Sequence, residues 1–318
     1  MEMTKQRENW IDITKFLACL MITNSHCRGI YPISFLAIGG GFGNALFFIV
    51  SGYLLANIRL DFIPWLKKRC GRVLPITLFF VVVNELISLG VNVRQENFRE
   101  FISYYIDAYW FTFAIVIYYV IFYFIFSQTI KVIITSFFIW VVGYIILYIC
   151  VLDTSVFAVE LGGFAPFKVY FYFGIMLIGG IIRKKSMQIR EKMYKKKRTL
   201  VITFFIIIVA FIGWTMEYAA VTVMNTAFEF QFLIHMFVFI FAITFIIFIW
   251  NVQLRENRIV TCIANSTLEI YLVQITFLKI TSKPFFPINW ILFWCVAIGG
   301  GVLTRSLMGK IGTKRGIK

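Results

Sequence analysis

The strongest constraint on this chain is its punctuation. About ten apolar segments, near residues 10–28, 43–60, 73–91, 108–127, 132–152, 168–182, 199–217, 230–250, 262–280 and 288–307, are separated by polar breaks. Crossing a hydrocarbon core of roughly 30 Å takes about 20 helical residues, and barrel strands would instead alternate apolar with polar. The segments have the helical length and lack the alternation. With 60% hydrophobic and 19% aromatic residues, the chain also exceeds what a soluble domain hides behind a polar surface. An all-α polytopic membrane bundle of about ten transmembrane helices is therefore expected, as a single integral-membrane domain over 1–318. No Pro- or Ser-rich linker and no clear internal repeat divides it. The first segment follows Lys5 and Arg7 without a small-residue cleavage pattern, so it reads as a retained helix.

Basic residues set the orientation. With a cytoplasmic N-terminus, twenty-four of the 31 Lys and Arg residues fall in inner tails and loops and six in outer loops, with Lys15 inside the first helix. The positive-inside rule then places both termini in the cytoplasm and the chain in the cell membrane. The outer six are Arg28, Arg94, Arg99, Lys168, Lys279 and Lys283. The most basic loop, 183–198, holds nine Lys or Arg in sixteen residues between two spans. It reads as an anchor beside anionic membrane lipid, with a contribution to binding an anionic donor as the alternative, and nucleic acid is not an expected partner. The six cysteines are dispersed, without a CxxC pair or clustered histidines, so neither a zinc site nor a disulfide framework is indicated.

An ionisable residue inside a membrane is expensive, which makes each one a candidate functional site. The first helix holds Asp12, Lys15 and His26. At 100° per residue, the eleven steps from Lys15 to His26 return to about the same face. Asp12 is close enough to pair with Lys15 but lies about 21 Å of helix axis from His26, so it does not orient that ring. Lys15 reads either as a snorkelling side chain near the inner surface or as part of a site. A neutral imidazole accepts a hydroxyl proton near neutral pH, which makes His26 the best available general base, beside the alternative of a satisfied bundle histidine. The other histidine, His235, sits in an apolar stretch and reads as structural.

Three motifs then occur in order: Lys15 and His26 with ten residues between them; Phe47, Phe48, Ser51, Gly52 and Tyr53 in GGGFGNALFFIVSGYLL; and Arg69, Arg72 and Pro75 in the inner loop KKRCGRVLP. Together they resemble the signatures of the membrane-bound acyltransferase 3 family. The resemblance is strong over roughly residues 7–76. Weaker echoes are Tyr109-Trp110-Phe111 and STLEIYLVQ, where Gln274 stands at a position that is often His in the family.

The resemblance implies an acyltransferase that moves an acyl group, most often acetyl from acetyl-coenzyme A, to a hydroxyl of an envelope or exported carbohydrate. The acyl-CoA would be a co-substrate, with no permanently bound cofactor. His26 would be the base. A base needs an orienting partner, and Glu85, at a similar depth in the third span, is a candidate, with Asp107 as a second. Arg69, Arg72 and Lys15 would receive the donor. Each signature also has a packing reading. Ser51 and Gly52 permit close helix approach, the arginines serve as positive-inside charges, and Gly39, Gly40, Gly41 and Gly43 form a flexible entry to the second span. The competing function is a membrane transporter or polysaccharide exporter, with Asp12, Lys15, His26 and Glu85 as a proton pathway.

Overall fold

The computed structural model describes residues 8–90, 97–160, 163, 165–193, 196–226, 228–252, 255–278 and 285–314. Of the residues that set the expected orientation, Lys5, Arg7, Arg94, Lys195, Lys279, Lys283, Arg315 and Lys318 lie outside these. The described residues form no strand. The helices are α1 (Asn9–His26), α2 (Gly40–Leu55), α3 (Phe62–Gly90), α4 (Phe98–Ala108), α5 (Trp110–Phe126), α6 (Ile130–Cys150), α7 (Pro166–Lys184), α8 (Ser186–Met193), α9 (Lys197–Thr222), α10 (Phe232–Asn251), α11 (Arg258–Asn265), α12 (Thr267–Leu278) and α13 (Ile288–Lys314). The expected all-helical membrane architecture is thus present.

Among the described residues, seven helices are long and apolar enough to cross a membrane, and nine spans result if each of two bent pairs counts as one. The pairs are α4 with α5, bent by 80°, and α11 with α12, bent by 66°. Of the ten expected segments, only that of α1 stands outside this count. It has 18 residues, but Asn9, Asp12, Lys15, Asn24 and His26 dilute its apolar character.

Two local readings are corrected. The basic stretch around Arg69 and Arg72 is not a loop, because α3 runs through it, with Pro75 in its interior. A proline removes one backbone donor and strains the preceding turn, which a long apolar helix tolerates. Nor are the glycines before the second span an open entry. Gly40, Gly41 and Gly43 are already helical, and a Cβ on Gly43 would lie 2.8 Å from the Ala18 carbonyl oxygen, so this turn of α2 packs directly on α1.

The chain forms two compact units, 1–43 with 71–105 and 254–318, and 44–70 with 106–253. In the first, α1 packs on α11 and α12, and α12 packs along α13. Glu269 on α12 accepts from Arg305 on α13 at 3.2 Å. In the second, α9 packs along α10, and α7 contacts α5, α6 and α10. Within it α7 is two-thirds buried, whereas the apolar windows of α6 and α9 are only 11% and 17% buried. The latter two therefore present apolar side chains outward, as helices facing hydrocarbon do.

Candidate active site

In the first unit, the end of α1 is fixed by a polar clamp. The Asn24 amide donates to the carbonyls of Leu36 and Ile38 at 2.9 and 3.0 Å, and its oxygen accepts from the Tyr31 hydroxyl at 2.7 Å. The Trp290 indole N–H of α13 donates to that hydroxyl at 2.8 Å. The chain beyond α1 is thereby tied back onto the helix terminus. His26 is the last residue of α1, half-buried, with the Tyr271 ring of α12 at 6.5 Å. Neither of its ring nitrogens is hydrogen-bonded among the described residues. One helical turn beyond Tyr271, Gln274 is 1% exposed, and its amide oxygen has no partner among the described residues. A buried amide oxygen without a donor costs free energy, so it is an unusual thing to find in a well-packed helix interface.

Two other residues of α1 lie nearer its start. Asp12 is buried and accepts from the Thr261 hydroxyl of α11 at 3.4 Å, lining a shallow recess with Asn9, Arg255 and Asn257. Lys15 is half-buried one turn further along. Glu85 accepts from the Tyr105 hydroxyl at 2.5 Å and makes no bond to His26. Asp107 belongs to the second unit, against Gly163, whose Cβ would fall 2.9 Å from the Asp107 carboxyl carbon.

The second unit carries the aromatic signature. Phe48 is fully buried among Phe111, Tyr118, Tyr172 and Trp110, at 4.7, 5.2, 5.4 and 6.4 Å between ring centres, and Phe47 meets Phe111 edge-on at 5.8 Å. The echo at Tyr109-Trp110-Phe111 is thus the packing partner of the Phe-Phe pair. Ser51 is half-buried. A Cβ on Gly52 would lie 1.9 Å from the Met176 carbonyl oxygen, and one on Gly179 would lie 2.0 Å from that of Ile49. The backbones of α2 and α7 therefore touch, and no side chain fits at either position. Tyr53 accepts from Arg183 at 2.7 Å. Arg69 is half-buried with its guanidinium 5.6 Å from the Trp65 ring centre, while Arg72, one turn on, is exposed.

A buried polar cluster in this unit was not visible in the sequence. His235 on α10 is 1% exposed, stacked on Phe171 at 3.8 Å and 3°. Its Nδ1 shares a 3.0 Å hydrogen bond with the Tyr144 hydroxyl, and its Nε2 lies 3.5 Å from Glu160. Glu160 also accepts from Tyr172 at 2.8 Å. Nearby, Lys168 donates to the Gly163 carbonyl at 2.6 Å and lies over the Trp110 ring at 4.2 Å. Burial pushes the Glu160 carboxyl up, but the neighbouring His235, the Lys168 charge and the Tyr172 hydroxyl outweigh it and hold the group below its ordinary range. Gln231 closes the cluster by accepting from the Ala158 and Val159 amides at 2.8 and 3.1 Å.

Among the described residues no group of three or more His, Cys, Asp or Glu side chains is arranged to hold a metal ion. No curated protein and no solved structure matches the chain. A family model described as an acyltransferase domain, Acyl_transf_3, matches residues 8–305, which spans α1, both units and most of α13. The chain therefore belongs to the acyltransferase 3 family and is a multi-pass membrane acyltransferase.

Proposed function

We propose that the protein transfers an acyl group, acetyl from acetyl-CoA in the first instance, to a hydroxyl of an envelope or exported carbohydrate, with His26 as general base. The observation that carries this reading is the state of His26: it ends α1, half-buried, beside Tyr271, and neither ring nitrogen is hydrogen-bonded among the described residues. An imidazole that must take a proton needs such an unoccupied nitrogen and access to its substrate. The acceptor oxygen attacks the thioester carbonyl as His26 removes its proton. The tetrahedral intermediate then collapses, the C–S bond breaks, and His26 returns the proton to the departing sulfur. Gln274, whose amide is buried one turn from Tyr271, is a candidate to donate a hydrogen bond from its NH2 group to the developing oxyanion.

On the orientation expected from the basic residues, the donor arrives from the cytoplasm and the acceptor from the other side of the cell membrane. Lys15, Arg69 and Arg72 would receive the anionic donor, Arg69 from its ring-supported position and Arg72 as an exposed charge. Radiolabelled acetyl-CoA supplied to purified protein, with envelope polysaccharide as acceptor, tests the assignment: label should pass to the carbohydrate. Retention of all label on coenzyme A would sink it.

A second reading, a proton-coupled transporter or exporter, draws on the buried cluster of Glu160, His235 and Lys168, since intramembrane charges mark ion pathways. Proton uptake by reconstituted vesicles on addition of a carbohydrate, without acyl transfer, would favour it.

A further inference from the structure

The basic stretch after α7 is not uniform. Arg183 in the last turn of α7 and Arg190 in α8 are half-buried, whereas Lys184 and Lys192 are exposed. Arg183 donates to the Tyr53 hydroxyl at 2.7 Å, with its guanidinium carbon 4.8 Å from that ring centre. The Arg190 guanidinium carbon lies 4.9 Å from the Trp250 ring centre. The two supporting rings, at the ends of α2 and α10, meet edge-on at 6.3 Å. Two guanidiniums are thus carried on adjoining aromatic platforms.

This differs physically from a lipid anchor. Lysines that follow a fluid headgroup layer gain from mobility, whereas an arginine seated on a ring has already given up much of its rotamer freedom. A guanidinium held by its face keeps its N–H donors in plane around its edge, where they match a phosphoryl group in a two-point contact. Two such forks side by side fit a ligand with more than one phosphoryl group.

We infer that Arg183 and Arg190, seated on Tyr53 and Trp250, bind the phosphoryl groups of the nucleotide end of the acyl donor, with Tyr53 as the positioning residue that aims Arg183. This rests on the acyl-CoA reading above. It gives the last residue of the Phe-Phe-x-x-Ser-Gly-Tyr signature a task in donor recognition. Phosphodiester headgroups of lipids share the same chemistry, so the test separates the two sources.

The experiment titrates CoA and dephospho-CoA, which lacks the ribose phosphate, against full-length protein in nanodiscs of neutral lipid and of lipid containing an anionic phosphoglyceride. The variants are wild type, Arg183→Ala/Arg190→Ala, Arg183→Lys/Arg190→Lys and Tyr53→Phe, each with its melting temperature. Wild type should prefer CoA, and the Ala pair should weaken CoA binding by about tenfold or more in both lipids and lose that preference. The Lys pair keeps the charge without the fork and should fall between them, which carries the test if the Ala pair does not fold. Tyr53→Phe keeps the ring and should weaken CoA binding by a few-fold at unchanged melting temperature. Equal CoA affinity in wild type and the Lys and Ala pairs overturns the inference and leaves the acyl-CoA reading standing. So does an effect confined to anionic discs, which assigns the arginines to lipid. No CoA binding by wild type overturns both.

Discussion

His26 ends α1 half-buried, with an aromatic neighbour and, among the described residues, no hydrogen bond to either ring nitrogen, whereas His235 on α10 is enclosed, stacked on Phe171, bonded to Tyr144 and faced by Glu160. On the proposed mechanism, the first imidazole is the one used and the second is kept for packing. A caged ring can hold helices in register, because its stacking on Phe171, its hydrogen bond with Tyr144 and the facing Glu160 fix its place. A base needs the opposite: a lone pair with nothing on it and room for a substrate beside it. On that reading, burial and partners, more than residue type, separate the two histidines.

The sharpest way to break this comparison is to give His26 a side chain that hydrogen-bonds but takes no proton near neutral pH. His26→Gln should lower acyl transfer by about 10²–10⁴-fold, as His26→Ala does, with melting temperature and coenzyme A binding close to wild type. Near-normal turnover by the Gln variant would return His26 to the packing class. The reverse holds for His235. His235→Ala leaves Glu160 buried without its neighbour, so it should cost roughly 3–5 kcal/mol of stability, while turnover per folded molecule stays within a few-fold of wild type. A stable His235→Ala protein without activity would make the caged histidine the functional one.

The same cage has a pH signature. Because the Glu160 carboxyl is held below its ordinary range, its stabilising contribution is complete above the unfolded carboxylate pKa and is lost as pH falls through the lower folded value. Thermal melts on acidification should therefore fall more steeply in wild type than in Glu160→Gln; parallel curves would remove Glu160 from the account. Gln274→Leu sharpens the His26 side. If the orphaned amide oxygen is only a packing defect, an apolar replacement should leave stability unchanged or raise it and spare turnover. The expected result is unchanged stability with turnover down by about 10²-fold, the loss of one oxyanion donor. Smallest of all, Tyr105→Phe should cost about 1 kcal/mol through Glu85 and alter transfer little. A loss of transfer comparable to that of His26→Gln would tie Glu85 to the chemistry after all.

What the sequence revealed follows the range of its signals. Spans are local, so length and hydropathy placed nine of ten segments on helices or bent pairs that suffice to cross a membrane. The spacing of Lys15 and His26 is also local, since a single helix fixes it. Breaks within apolar stretches were not legible: the bend between α11 and α12 falls at Ser266, where Asn265, Ser266 and Thr267 interrupt the apolar run too briefly to read as a loop. The cage around His235 was invisible because its partners come from Glu160 and Tyr144, 75 and 91 residues away, and no periodicity encodes such a meeting. Lys168 was counted as an outer-loop charge, yet it is 4% exposed, because its ammonium is satisfied by the Gly163 carbonyl and the Trp110 ring. Gln274 gave a faint signal only as a departure from a familiar pattern.

The contact of Gly52 and Gly179 with the facing backbone carbonyls bears on what a shared signature certifies. A glycine whose replacement would drive a methyl carbon into Met176 is retained for architecture, whatever reaction the surrounding bundle performs. The glycine of the Ser-Gly pair thus reports on the scaffold and stays silent on the chemistry. Lineages that repurpose this bundle should keep the glycines while the histidine at the end of the first helix drifts, and a survey sorting such chains by activity should weigh His26 above the Ser-Gly pair that makes them easy to find.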